Sequence, residues 1–293
     1  MALSTVVDFK TPKGFNLTGL WYGPRNARTV LVFIHGLGAS AFGRVEREIA
    51  PLIVDRNTAV FVFNNRGHDT VSNLYKDDRL SKKGYKRIDA GTAHERFTDC
   101  ADDIQGAIRF VRRSGGKQIY LGGHSTGCQK SVYWAYKHKG RGVKGLILLA
   151  PMSDWAGEVH IQGAKKVAVV AKTARAMVAT GKGHTLLPKA LWHETLDAQR
   201  FLSLYTPDSV EEIFSYAQQK KVPYTLRAVQ LPQLVLLAEQ DEYADRYAVD
   251  IAAWFATHIN TRSRVCILAS AKHSFRGAEE KVARQMRRFM KES

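Results

Sequence analysis

The chain has 293 residues, of which 45% are hydrophobic and 24% are charged. This composition is close to the globular average, so it excludes a disordered chain and supplies enough apolar side chains for a sizeable core. At roughly 100–200 residues per domain, the length allows one large domain or two small ones. No run of about 18 apolar residues occurs, so we expect no stable membrane insertion.

Lysine and arginine total 44 against 27 acidic residues, a formal net charge of +17. This balance favours an anionic partner, such as an acidic substrate, a membrane surface or a nucleic acid, although a basic proteome would produce it as well. The sequence contains no zinc-finger spacing, aromatic RNA-binding pattern or heptad repeat. We therefore expect no nucleic-acid partner, and the oligomeric state stays open.

The three cysteines, Cys100, Cys128 and Cys266, are an odd number at unrelated spacings. They indicate neither a disulfide framework nor a zinc site, and they fit a reducing cytosol. The first residues, Met1 to Thr5, lack the basic region of a secretory signal. The sequence therefore predicts a cytoplasmic protein without a bound metal.

Short apolar runs that alternate with helical segments predict the fold class. The first two segments, at 6–9 and 15–22, alternate apolar and polar residues around a turn, which is typical of an antiparallel hairpin at a sheet edge. Continuous apolar runs, typical of strands covered on both faces, follow at 30–34, 59–63, 119–121, 146–149 and 234–237. Helical spacing occupies 97–111, 245–257 and 278–290. This order predicts a mostly parallel α/β sheet flanked by helices.

Residues 151–230 interrupt that alternation. A structureless loop of about 80 residues would be improbable in a compact domain. Helical patterns at 167–178, 196–204 and 210–219 predict instead a helical cap over a core of 1–150 and 231–293. Between His160 and His193 this segment has no acid and six basic residues: Lys165, Lys166, Lys172, Arg175, Lys182 and Lys189. They motivate the hypothesis that the substrate or its approach is anionic.

The pentapeptide Gly123-His124-Ser125-Thr126-Gly127 carries the strongest chemical signal. It directly follows a predicted strand and precedes a helical stretch. In this position the pattern predicts a nucleophile elbow, in which the serine occupies a strained turn and the glycines let the backbones pass closely. The alternative is a glycine-rich turn with an idle serine.

A serine hydroxyl needs a base that removes its proton and an acid that holds the base in one tautomer. Asp241 and His273 each follow a predicted strand, in the chain order Ser…Asp…His. Because reacting groups in open α/β sheets gather outside the carboxyl ends of the strands, we expect both residues beside Ser125. Two neighbouring glutamates are alternatives for the acid: Glu239 and Glu242.

The chemistry also needs an oxyanion hole, usually two backbone N–H groups that face the developing negative charge. We expect one from Thr126 and the other from Leu37, which lies in the turn His35-Gly36-Leu37-Gly38 after a predicted strand. A phosphate-binding loop is the rival interpretation. However, the Lys-Ser/Thr ending of a P-loop and the Gly-x-Gly-x-x-Gly of a dinucleotide site are both missing.

Together these motifs resemble the α/β-hydrolase superfamily over nearly the whole chain. The turn at 35–38 is similar to its oxyanion turn, 65–68 to the turn after its next strand, and 123–127 to its elbow. The resemblance implies an α/β-hydrolase fold with a cap at 151–230. Residues 123–129 are also similar to a narrower group that includes the fungal siderophore esterases of the fusarinine type. Two further stretches strengthen that likeness: Glu95-Arg96-Phe97-Thr98-Asp99-Cys100 and Asp241-Glu242-Tyr243.

The sequence therefore predicts a serine esterase that cleaves a small-molecule carboxylic ester through an acyl-enzyme, without a cofactor. The cap-bearing architecture of the family favours esters. The same triad serves amidases, peptidases, thioesterases and acyltransferases, and a weakly catalytic ligand-binding protein is a further alternative. Packing is the competing role for most of the candidates for substrate contact, which are His35, His124, Trp155, Met177 and Trp192.

Overall fold

Ten β-strands form one sheet in this computed structural model, which describes residues 4–293. The strands are β1 (Ser4–Lys10), β2 (Phe15–Tyr22), β3 (Thr29–Ile34), β4 (Thr58–Phe63), β5 (Ser72–Asp77), β6 (Tyr85–Ala90), β7 (Gln118–His124), β8 (Leu146–Leu149), β9 (Gln233–Ala238) and β10 (Arg264–Leu268). Their order is β10-β9-β8-β7-β3-β4-β2-β5-β6, with β1 beside β2. From β10 to β4 the neighbouring strands run parallel, which confirms the predicted sheet.

Helices cover both faces of the sheet. They are α1 (Arg44–Ile53), α2 (Cys100–Arg113), α3 (Thr126–His138), α4 (Asp154–Gln162), α5 (Ala164–Ala179), α6 (Ala198–Tyr205), α7 (Tyr224–Arg227), α8 (Ala248–His258) and α9 (Glu279–Glu292). One apolar core lies between the sheet and α2, α3 and α8. A second lies between the other face and α1 and α9.

The strand β3 shows why these segments form a doubly covered sheet. Val30, Val32 and Ile34 pack into the core beneath α2 and α3. Leu31 and Phe33 pack into the core beneath α1 and α9. Because successive side chains of a strand point to opposite faces, a continuous apolar run is buried on both sides.

The antiparallel strands lie at one end of the sheet. β1 pairs with β2 from Ser4 opposite Tyr22 to Lys10 opposite Asn16, and it has no other partner strand in residues 4–293. The hairpin predicted at the sheet edge is therefore confirmed. The β5–β6 hairpin was not predicted, because most of its side chains are exposed and show no apolar run.

The helices α4, α5 and α6 lie in the segment 151–230 and share an apolar cluster of their own around Val167, Val170, Trp192 and Phe201. The residues 213–229 pack instead into the core beside α3. The division of the chain at residue 230 stays a prediction.

The prediction of a helix at 210–219 is wrong. The residues 211–216 are all buried, and they form irregular backbone. The helical spacing of this stretch is overridden by tertiary contacts, because consecutive side chains turn inward to separate partners instead of sharing one buried face. Glu211 and Glu212 both turn inward, where Glu211 binds Arg200 and Glu212 accepts a hydrogen bond from Ser153 at 2.6 Å.

Within residues 4–293, the helices are too short or too polar to cross a membrane. The three cysteines are free thiols in the structure. The expectation of no secretory signal rests partly on residues 1–3, which lie outside the described residues.

A buried ion network joins the segment 151–230 to α3. Glu95 forms ion pairs with Lys130 of α3 at 2.6 Å and with Arg200 of α6 at 2.9 Å. Arg200 also binds Glu211 at 2.5 Å. All four side chains are at most 4% exposed. Removing one member of such a network leaves a charge buried without its partner, which is strongly destabilising.

We therefore expect Arg200→Met to lower the free energy of unfolding by about 3–5 kcal/mol, because Glu95 and Glu211 lose their shared cation. The measurement is urea denaturation of the purified protein. The control is Arg175→Met, since the ion pair of Arg175 with Asp208 is about half exposed on its arginine side. That change should cost about 0–1 kcal/mol. Equal losses in the two variants would contradict a special role for the network.

Candidate active site

Ser125 lies in the turn between β7 and α3, with backbone angles of φ 54° and ψ −124°. This conformation is rare for a residue with a side chain and costs on the order of 1–3 kcal/mol. Its N–H donates to the carbonyl of Leu149 at 2.9 Å, and its carbonyl accepts from the N–H of Cys128 at 2.8 Å. The turn therefore has the strained geometry expected of a nucleophile elbow.

Two glycines let the strand and the helix approach each other at this turn. A Cβ on Gly123 would overlap with the backbone of Gly127, and a Cβ on Gly127 would overlap with the carbonyl of Ile34 in β3. The helix α3 can therefore begin at Thr126, directly after Ser125. The positive end of a helix lies beside the serine, where it favours negative charge.

Asp241 and His273 meet at the carboxyl ends of β9 and β10. The Nδ1 atom of His273 lies 2.8 Å from Oδ2 of Asp241, and the two side chains are 9% and 10% exposed. The other carboxylate oxygen accepts from the N–H of Tyr243 at 3.1 Å. In the neutral tautomer that donates from Nδ1 to a carboxylate, Nε2 carries no proton and can accept one.

The two alternative acids have different contacts. Glu242 accepts a hydrogen bond from the backbone N–H of His273 at 2.9 Å. Glu239 accepts one from the backbone N–H of Ser270 at 2.7 Å. Both glutamates hold the loop that carries His273, whereas Asp241 contacts its imidazole. Of the three carboxylates considered from the sequence, Asp241 is the one that contacts the imidazole of His273.

Ser125 and His273 line the same cavity, whose volume is about 470 Å³. Within residues 4–293, no hydrogen bond joins the hydroxyl of Ser125 to the imidazole. Catalytic hydrogen bonds are often long before substrate binds and shorten in the complex. The structure thus brings the two residues to one cavity and forms the Asp241–His273 contact.

His124 connects the turn at Ser125 to the loop of His273. Its Nε2–H donates to the backbone carbonyl of His273 at 2.9 Å, and the two rings lie 4.9 Å apart. Burial lowers the pKa of His124 to about 3, with a further contribution from the charge of His273. His124 is therefore neutral at physiological pH and acts as a hydrogen-bond donor between the two loops.

The two N–H groups expected to form the oxyanion hole are both free. In the described part of the chain, the N–H of Leu37 and the N–H of Thr126 donate to no protein oxygen. The next amide along, that of Gly38, donates to the hydroxyl of Thr92 at 2.9 Å, and that hydroxyl donates to the carbonyl of Gly67 at 2.8 Å. These bonds fix the loop that carries Leu37.

Of the five side chains suggested for substrate contact, His124 lines the cavity. His35 is fully buried, and burial and the charge of Lys130 lower its pKa to about 3. Trp192 is fully buried in the cluster around α5 and α6, and Met177 packs against that cluster. Trp155 lines a separate groove beside α5.

Sequence reasoning missed four carboxyl side chains that line the cavity: Glu46, Asp154, Glu158 and Glu194. Burial raises the pKa of Glu46 to about 7. Burial, together with the charge of Glu194, also raises the pKa of Glu158 to about 7. The sequence did contain a sign of two of them, because Glu158 and Glu194 are the first acids before and after the acid-free stretch between His160 and His193.

The charged side chains of the site do not form a metal-ligand cluster. Among residues 4–293, no three His, Cys, Asp or Glu side chains are grouped so that they could hold a metal ion. The chemical groups that the cavity offers are therefore a hydroxyl, an imidazole held by a carboxylate, free N–H groups and the four carboxyls.

The model of the family described as "Protein of unknown function (DUF1749)" matches residues 93–291. No curated protein matches the sequence.

Solved structures of esterases share the architecture. An esterase of Pyrococcus furiosus superposes with a TM-score of 0.62 and 13% identity, over 99% of this chain and 91% of that chain. Est1E from Butyrivibrio proteoclasticus, with ferulic acid bound, superposes with a TM-score of 0.62 and 17% identity, over 97% of this chain and 98% of that chain. Carboxylesterase CesB from Bacillus subtilis superposes with a TM-score of 0.61 and 16% identity, over 99% of this chain and 93% of that chain. At these identities the similarity establishes the α/β-hydrolase fold.

Proposed function

The chain belongs to the DUF1749 family and has the α/β-hydrolase fold, and on this basis we propose that it is a serine esterase. The observation that carries the proposal is the contact between Asp241 and His273 at 2.8 Å, in the cavity that Ser125 also lines. The strained turn at Ser125 and the free N–H groups of Leu37 and Thr126 support it.

In the first half of the reaction, Nε2 of His273 removes the proton from the hydroxyl of Ser125 as the oxygen attacks the ester carbonyl. Asp241 stabilises the imidazolium that forms. The N–H groups of Leu37 and Thr126 bind the oxyanion, and each such donor is worth on the order of 3–4 kcal/mol. His273 then gives its proton to the leaving alcohol, which completes the acyl-enzyme.

In the second half, a water molecule enters the cavity and His273 removes one of its protons. The hydroxide attacks the acyl carbonyl in the same oxyanion hole, and His273 returns the proton to the oxygen of Ser125. The carboxylic acid leaves. This cycle requires only the side chains and backbone groups already described.

The segment 151–230 acts as the cap in this proposal. Several of its residues line the cavity that Ser125 also lines, among them Met152, Gly157, Ile161 and His193. A cap of this kind excludes water and sets the substrate range. We expect a small-molecule ester as substrate and the reducing cytosol as the compartment.

The narrower likeness to the fungal siderophore esterases of the fusarinine type suggests siderophore esters as one substrate class. Part of this likeness has a structural explanation. Glu95 binds Lys130 within the core, and Gln129 donates to the carbonyl of Met152 at 3.0 Å. These contacts hold α3 and the start of the cap whatever the substrate is.

We expect Ser125→Ala to abolish hydrolysis of p-nitrophenyl esters and labelling by a fluorophosphonate, because the attacking oxygen is removed. The melting temperature should stay unchanged or rise slightly. The control is Ser81→Ala in the loop between β5 and β6, which should keep both activities. Retained turnover in Ser125→Ala would remove this serine from the mechanism.

We expect Asp241→Asn to lower kcat by about 10³–10⁴-fold, because an amide that donates to Nδ1 favours the wrong tautomer of His273. Steady-state kinetics on the same ester measure the loss. Asp250→Asn on α8 is the matched control, since its carboxylate is exposed and lies outside the cavity. A loss below about tenfold would transfer the role of the acid to another carboxylate.

A substrate panel separates the esterase from its alternatives. The panel holds an ester, an amide and a thioester of one acyl group, an added acceptor alcohol, and a siderophore ester of the fusarinine type. We expect the ester to give the highest kcat/KM, and activity on the siderophore ester would support the narrower group. Faster amide or thioester cleavage, or transfer to the alcohol, would assign one of the alternative activities. Labelling of Ser125 without turnover would indicate a ligand-binding protein.

A further inference from the structure

The loop that carries Leu37 has little stiffness of its own. Glycines stand on both sides of Leu37, and one of them, Gly38, has a backbone φ of 63°. Because glycine adopts many backbone conformations, the residue types of this loop do not fix the direction of the Leu37 N–H. The turn within the loop is closed by a long hydrogen bond, from the N–H of Ala39 to the carbonyl of Gly36 at 3.3 Å. Contacts with other parts of the chain therefore have to hold the loop.

The side chain of Thr92 provides such a contact. Its hydroxyl accepts the N–H of Gly38 at 2.9 Å and donates to the carbonyl of Gly67 at 2.8 Å. A threonine hydroxyl has one proton to donate, so the bond to Gly67 leaves its lone pairs for the N–H of Gly38. Thr92 is 6% exposed and does not line the cavity of the candidate active site. The hydroxyl thus fixes the peptide that follows Leu37 without reaching a substrate.

Thr92 itself lies on a firmly held support, since it begins a short 3₁₀ turn. The N–H groups of Thr92 and Ala93 donate to the carbonyls of Asp69 at 2.8 Å and of Thr70 at 2.9 Å. From the other side, the N–H of Asp197, the N-cap residue of α6, donates to the carbonyl of Ala93 at 2.9 Å. The turn is therefore fixed both to the loop after β4 and to the start of α6. A hydrogen-bonding group on such a support can position a neighbouring loop accurately.

We propose that Thr92 is a positioning residue for the oxyanion hole, because its hydroxyl holds the loop in the conformation that directs the N–H of Leu37 toward the oxyanion. This inference rests on the proposed esterase function and adds a residue that the reaction needs although it contacts no reacting atom. The oxyanion hole acts mainly in the transition state, when the carbonyl oxygen becomes negative. Loss of the hydroxyl should therefore lower kcat and leave KM nearly unchanged.

The test compares Thr92→Val with Thr92→Ser in steady-state hydrolysis of a p-nitrophenyl ester. Valine keeps the shape of threonine but forms no hydrogen bond, whereas serine keeps the hydroxyl. We expect the kcat of Thr92→Val to fall by about 10–100-fold, which is less than the loss of a whole oxyanion donor. Its KM should change little. Thr92→Ser should restore most of the kcat.

The matched control is Thr11→Val in the β1–β2 hairpin. Thr11 is 5% exposed, and its hydroxyl accepts the N–H of Phe15 at 3.2 Å. The substitution removes the same kind of buried hydrogen bond at a site outside the cavity. Both valine variants should lower the melting temperature by a similar amount, but Thr11→Val should keep its kcat. An equal loss of kcat in the two variants would show that Thr92 matters only for stability.

A transition-state analogue gives a readout that separates positioning from stability. When an alkyl trifluoromethyl ketone binds, the oxygen of Ser125 bonds to the ketone carbon and its proton passes to His273. The electron pair of the carbonyl moves to the ketone oxygen, which becomes the oxyanion. The inhibition constant should therefore rise in Thr92→Val by about the factor by which kcat falls. The amount of protein that a fluorophosphonate labels to completion should equal that of the unsubstituted protein, because the variant stays folded.

Failure of the proposed function and failure of the inference give different results. If Ser125→Ala still hydrolyses the ester, the proposed function fails. If hydrolysis depends on Ser125 but Thr92→Val keeps both its kcat and its inhibition constant, the inference is wrong. It is also wrong if Thr92→Val raises KM instead of lowering kcat, or if Thr92→Ser is as slow as Thr92→Val.

Discussion

The turn at Ser125 is the constraint on which the site depends. Its backbone is held at φ 54° by hydrogen bonds to β8 and α3, and Gly127 lets α3 lie against the carbonyl of Ile34. The hydroxyl, the free N–H of Thr126 and the end of α3 are placed together by this one turn. The packing of α3 offsets the free-energy cost of this strained backbone, since its side chains Cys128, Val132 and Trp134 are fully buried. A loosely packed helix could not hold the serine in this conformation.

The other side chains of the site are positioned by hydrogen bonds between loops rather than by long elements. Glu242 holds the backbone of His273, and His124 donates to the carbonyl of the same residue. The loops after β9 and β10 are thereby tied to each other and to the turn at Ser125. An imidazole must be aligned both with its acid and with the serine, and these backbone contacts fix the loop without occupying Nε2. The protein thus separates the groups that position the imidazole from those proposed to react.

The sequence was most informative where backbone geometry restricts the residue type. Rules of local structure predicted the turn with Gly123 and Gly127, and they predicted that Asp241 and His273 come directly after strands. The apolar runs predicted the sheet. The cavity wall was not predictable in this way. Trp155 and Trp192 were candidates for it beside a packing role. Trp192 is buried in the cluster around α5 and α6, and Trp155 lines another groove. Which face of α4 meets the cavity depends on how the segment packs on the core, and no local pattern encodes that packing.

The buried glutamates of this protein differ in whether a cation forms an ion pair with them, and this difference affects their pKa. Although burial alone would raise the pKa of Glu95, the charges of Lys130 and Arg200 lower it. Glu46 and Glu158 have no such partner at their buried oxygens, and burial raises the pKa of each to about 7. Glu212 lies outside the cavity and is buried without an ion pair among the described residues, and its pKa is also raised to about 7. The presence of a paired cation, and not the depth of burial alone, therefore decides in which direction the pKa of a buried glutamate shifts.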